Sequence, residues 1–155
     1  MDGRVSPGPM DLPANPRLEQ IAADHVAVNA TMERIGAELE RLRAAVGESR
    51  EFGPLTRLLG EFRGLLTDHF RREEHDEFLL GTSFPWDLAT RGRVDQLLLQ
   101  HRHFLSEVDQ LVSEAESARP EHVARLAGEV ENLFVNLRWH DAVETGLLHR
   151  LAKHG

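Results

Sequence analysis

Cysteine and tyrosine are both absent from this 155-residue chain. Without a thiol there is no disulfide, thiolate metal site, iron–sulfur ligation or cysteine nucleophile. Without a phenol there is no tyrosyl ligand or radical. Basic charge is also scarce. Eighteen Lys and Arg face twenty-six Asp and Glu, a net charge of -8, which argues against a phosphate backbone or an anionic membrane as partner. No apolar run approaches the roughly 20 residues that span a bilayer. The opening MDGRVSPGPMDLPANP has proline and glycine where an export signal needs an apolar stretch. Residues 1–15 are therefore read as a flexible lead-in, and the protein is expected in the cytoplasm. The remaining length, residues 16–155, suits one domain with a substantial core.

What the chain has in excess is histidine, nine residues in all, and helical periodicity decides which of them matter. Asn15 and Pro16 form an N-cap and first-turn pair. Leu18, Ile21, His25, Val28, Met32, Ile35, Leu39, Leu42 and Val46 then follow at alternating spacings of three and four, up to Gly47. A second helix, starting near Ser49 or at Pro54, has the stripe Leu55, Leu58, Phe62, Leu66, His69, Glu73 and Asp76 and is expected to end near Leu80, with a turn over Gly81 to Pro85. The third starts between Asp87 and Gly92, where two caps compete, and shows Val94, Leu98, His101, Leu105, Val108 and Val112 before Arg119 and Pro120 stop it. The fourth runs from Glu121 with Val123, Leu126, Val130, Leu133, Leu137, His140, Glu144, Leu147 and Leu151 on one face. Nothing alternates with the period of a strand, so the fold class is all-α: an up-down-up-down four-helix bundle.

In that topology the polar seam residues meet. At about 1.5 Å per residue, His25, His69, His101 and His140 all lie on the order of 15 to 20 Å from the same end of the bundle. Glu73 and Glu144 follow their histidines by four residues and share their faces. A lone seam histidine is ordinarily a hydrogen-bonded core residue, and a lone HxxxE an intrahelical pair. Four histidines at one height, with both glutamates beside them, call for a different account. Two carboxylates facing each other in an apolar core cost on the order of several kcal/mol per ion. A pair of cations removes that cost, and imidazole with carboxylate suits several transition metals.

The order His25, His69 with Glu73, His101, His140 with Glu144 resembles the hemerythrin-like family of histidine and glutamate cation-binding domains, over most of the chain. The resemblance implies a bundle around two iron ions, bridged by two carboxylates and an oxygen species, with these six residues as ligands. Shared equally, the histidines give each iron two nitrogen ligands and leave an open position. Oxygen carriers of the family have a further histidine one turn after the third-helix ligand. Here Leu105 stands there, and the last carboxylate, Glu144, follows its histidine at four residues instead of five. The pattern resembles instead the H-HxxxE-H-HxxxE branch, associated with bacterial nitric oxide, peroxide or iron-handling responses. The expected function is a non-haem di-iron protein that binds or senses oxygen, nitric oxide or peroxide. The alternatives are an enzyme that consumes peroxide or nitric oxide or supplies iron to damaged iron centres, and a metal-gated interaction module with a protein partner. The donors alone do not select iron over manganese or zinc.

Other polar residues receive plainer readings. Asp76 is a solvated helix-end residue or an additional ligand. Glu74 and His75 point away from the seam, and RREE at 71–74 is a solvated face apart from Glu73. His103 is turned off the seam, while His122, His149 and His154 are surface residues. Phe78, Leu80, Phe84, Trp86 and Leu148 are ordinary core or an apolar lid over the metal end.

Overall fold

The computed structural model of the chain describes residues 16–45, 51–75 and 85–154. Four helices make up nearly all of this: α1 (Pro16–Ala44), α2 (Gly53–Glu73), α3 (Leu88–Glu116) and α4 (Val123–His154). Among the described residues there is no strand, and no helix is long and apolar enough to cross a membrane.

Local chemistry sets the helix starts. Asp87, in extended conformation, accepts a hydrogen bond from the Thr90 backbone N–H at 2.7 Å, which decides the competition between caps for α3. Pro54 sits in the first turn of α2, where its missing N–H costs nothing. The segment expected to open the fourth helix forms a single 3₁₀ turn, Pro120–His122, before α4 begins at Val123. His122 is half-buried there and accepts from the Arg119 N–H at 3.1 Å, so it is an end cap and not a free surface group. Helix α2 ends at Glu73, short of the expected Leu80. The expected turn at 81–85, apart from Pro85, and the readings for Asp76, Phe78, Leu80 and Phe84 fall outside the described residues, as do residues 1–15 and the side chains of Leu148, His149 and His154.

Neighbouring helices run antiparallel, as named pairs show. Along α1 and α2, Asp24 meets Arg72 and Arg34 meets Glu61. Arg63 pairs with Asp109 between α2 and α3. His101 meets His140 between α3 and α4, and Arg43 approaches Glu131 where α1 and α4 adjoin. Backbones pack around the ring α1–α2–α3–α4–α1, while the diagonal pairs α1/α3 and α2/α4 do not approach. Glu73 and Glu144 therefore reach the centre from opposite corners.

The main core fills the half of the bundle that holds the α1–α2 and α3–α4 connections. Ile35, Leu42, Leu55, Leu59 and Phe62 are fully enclosed there, with the Phe62 and Phe134 rings edge-on at 5.7 Å. A second, smaller cluster of Ile21, Val94, Leu97 and Leu147 closes the other end, with Trp86 and Leu98 against it. The polar layer lies between them. In α4 the expected stripe is buried from Val123 through Leu147. In α3 the expected Val94, His101 and Val108 are buried, but Leu97, Phe104 and Leu111 take the places expected for Leu98, Leu105 and Val112, which are only half-buried. Likewise α2 buries Leu59 and Phe70 in preference to Leu58.

Truncating Phe62 should remove the centre of the main core without touching the polar layer. Phe62→Ala is expected to cost about 3–5 kcal/mol in urea unfolding of the metal-free protein. A loss under about 1 kcal/mol would contradict this packing.

Candidate metal centre

Each helix delivers one histidine to the polar layer, and α2 and α4 each add a glutamate one turn further on. His69, Glu73, His101, His140 and Glu144 are all buried, while His25 is half-buried. The six sort into two groups that share both carboxylates. His25, His69, Glu73 and Glu144 bring ligand atoms within 4.8 Å of one another, and Glu73, His101, His140 and Glu144 do the same. All six residues expected from the sequence are thus brought together, and each group can hold a metal ion.

Nitrogen atoms converge in pairs. His25 Nε2 lies 3.2 Å from His69 Nε2, and His101 Nε2 lies 3.0 Å from His140 Nε2. His69 Nε2 is 2.9 Å from Glu73 Oε1, and His140 Nε2 is 2.6 Å from Glu144 Oε1. His101 Nε2 stands between the two carboxylates, 3.4 Å from Glu144 Oε1 and 3.7 Å from Glu73 Oε1.

Protein groups alone leave this layer unsatisfied. Glu73 Oε1, Glu144 Oε2 and His101 Nδ1 are buried with no hydrogen-bond partner, an expensive condition for polar atoms in a core. Burial and the neighbouring Glu144 push the Glu73 carboxyl well above its ordinary range. Burial also acts upward on Glu144, but its contacts with Glu73, His101 and His140 outweigh it and hold that carboxyl well below its ordinary range. The pair is thus one acid and one carboxylate. Burial depresses His69 to about 4, against the raising effect of Asp24, so its imidazole is neutral near pH 7 and its nitrogen free to coordinate. Orphaned oxygens, a neutral imidazole and paired Nε2 atoms fit a cation site.

The backs of the rings are also organised, by residues that helix periodicity did not single out. Asp24, buried beside half-buried His25, faces His69 Nδ1 at 3.2 Å. It also accepts from Arg72 Nε and Nη2, both at 2.7 Å, and from Gln20 Nε2 at 3.0 Å. Burial opposes ionisation of Asp24, yet these bonds, led by Arg72, bring its carboxyl below the usual value. A carboxylate on Nδ1 holds the proton there and turns the bare Nε2 inward. His140 Nδ1 is held in the same sense by Gln100 Oε1 at 2.7 Å. Arg72 lies on the exposed face expected for residues 71–74, yet its guanidinium reaches inward to Asp24. Glu74 is exposed too but does not point away from the seam as expected, since its Oε2 lies 3.4 Å from His101 Nδ1, though not aligned for a hydrogen bond. Two aromatic rings complete the walls. Phe70 stacks on His101 with centroids 3.8 Å apart, and Phe104 stands perpendicular to His140 at 5.3 Å.

Two further positions define the edge of the site. Asp141, next to His140 in the chain, reaches back across α1 so that its Oδ1 lies 3.9 Å from His25 Nε2. Burial and Glu144 raise its carboxyl, with His25 acting the other way. His103 is exposed and pairs with Glu107 at 2.6 Å, off the seam as expected.

His101→Ala is expected to cut bound metal sharply while His103→Ala leaves it unchanged. Elemental analysis checks this, and equal losses would refute the register of α3. The glutamate pair also has a pH signature. A carboxyl raised in the folded state stabilises fully below its unfolded value near 4.5, and that contribution is lost as pH rises through the folded value. Metal-free Glu73→Gln should therefore become progressively more stable than the metal-free native chain as pH increases from about 5 to 8. Thermal melts with a pH-independent difference would contradict the shared-proton assignment.

The chain matches no protein-family model, no curated protein and no solved structure.

Proposed function

We propose that this chain is a hemerythrin-like, carboxylate-bridged di-iron protein that binds or senses a small ligand: oxygen, nitric oxide or peroxide. The observation that carries this reading is the sharing of Glu73 and Glu144 by two otherwise separate histidine pairs. One buried carboxylate between two nitrogen pairs would serve a single ion, whereas two of them from opposite helices suit a pair.

When bound, iron would supply a Lewis-acidic, redox-active centre able to take up a small neutral molecule. The chain's own residues supply the rest. Asp24 and Gln100 orient His69 and His140, so one donor in each pair is pre-set before metal arrives. Glu73 gives up its proton on loading, which makes metal affinity rise with pH. Phe70 and Phe104 keep water from the inner histidines, and a dry pocket favours small uncharged ligands over bulky or charged ones. Leu105 is half-buried and offers no nitrogen, so the third helix contributes one ligand.

Protein loaded with ferrous iron under anaerobic conditions should contain two ions per chain by elemental analysis. Nitric oxide added to that form, or azide added after oxidation, should change the visible spectrum saturably. Air should oxidise the ferrous form irreversibly. A consistent stoichiometry of one ion would refute the di-iron reading. An oxygen adduct released by degassing would restore an oxygen-transport role.

A further inference from the structure

The two metal positions have the same donor types but unequal surroundings. The inner one, His101 and His140 with the two glutamates, is buried at every ligand. Phe70 lies flat on His101, Phe104 stands against His140, and Gln100 occupies His140 Nδ1. The groove on the α3–α4 surface, between Gln100, Phe104, Trp139 and Val143, reaches His140 on the side where Gln100 holds Nδ1. The outer position includes the one half-buried ligand, His25, whose side chain is 27% exposed. Beside it stands Asp141, 35% exposed and 3.9 Å from His25 Nε2. No role for this aspartate follows from the six-ligand set.

We propose that the α1–α4 seam is the route by which divalent cations reach and leave the centre, with Asp141 as the capturing carboxylate and the outer position as the exchangeable one. The inference rests on the dinuclear reading above. A hydrated cation arriving at the seam meets a negative group still in contact with water, then His25, then the buried donors. Each step replaces bound water by a protein ligand before the next is lost. The inner ion must pass through the outer position, so the inner site fills first and empties last. Asp141 is a positioning residue for the incoming ion and leaves the equilibrium ligand set unchanged.

Cobalt(II) is a suitable probe because its visible bands report coordination. With the full-length chain loaded to two cobalt ions, excess EDTA should release them in two phases of equal amplitude, separated by at least about tenfold in rate. His25→Ala should abolish the fast phase, and His140→Ala the slow one. Asp141→Asn should still bind two ions at equilibrium but load about tenfold more slowly at low ionic strength, a steering effect that shrinks as salt is raised. Asp141→Glu should restore the rate. Metal-free Asp141→Asn should melt no lower than the native chain. Release of both ions in a single phase would overturn the proposal, as would an Asp141→Asn protein that loads at the native rate. Asp141→Asn binding only one ion would overturn it too, since Asp141 would then be a permanent ligand. Native protein that saturates with fewer than two cobalt ions would defeat the dinuclear reading, and the route with it. Two ions without the expected kinetics would defeat the route alone.

Discussion

Two carboxylates from opposite corners of the bundle meet in a layer from which water is excluded, and most of the site follows from that confrontation. Glu73 and Glu144 cannot both be ionised without a positive partner. In the metal-free chain they settle on one proton, leaving oxygens that no protein group satisfies. Everything packed around the pair keeps it in place: a large apolar core on one side, and the cluster of Ile21, Val94, Leu97 and Leu147 on the other. The core supplies the folding energy, so the polar layer can remain poorly satisfied by protein groups alone.

The division between main core and polar layer also explains how much of the molecule was legible in the sequence. In α4 the expected face, Val123 through Leu147, is buried as read, with Ala127 and Phe134 buried beside it, so His140 and Glu144 keep their expected register. In α3 adjacent apolar pairs, Leu97–Leu98, Phe104–Leu105 and Leu111–Val112, offer two seams a residue apart. Periodicity cannot choose between them, and the structure takes the first of each pair. His101 belongs to both seams, which is why its inward position was identifiable when several of its packing neighbours were not. Leu58 and Leu59 pose the same ambiguity in α2.

The outer partners were hidden for a different reason. Asp24 and His25 both fit between Ile21 and Val28 at helical spacing, and the Asp24 carboxylate finds its role only through Arg72 and His69 on another helix. A buried acid next to a seam histidine was the available signal. Gln100 precedes His101 but serves His140, so its role depends on how α3 and α4 are set against each other. Contacts of that kind are made between helices, and a pattern read along one helix cannot show them. Fold class and the convergence of the six polar residues were therefore legible, while the second layer of contacts required the packed bundle.

Arg72 is 41% exposed, yet its guanidinium grips Asp24, whose other side faces the ring of a buried histidine. The chain Arg72, Asp24, His69 thus runs from bulk solvent to the centre of the bundle through only two side-chain contacts. A counter-anion drawn to Arg72, or a neighbouring protein that engages it, weakens its hold on Asp24 and leaves that carboxylate a stronger acceptor from the imidazole. More electron density then reaches Nε2, the ring nitrogen that lies against Glu73. The surface of α2 therefore carries an electrical handle on an imidazole that is itself buried.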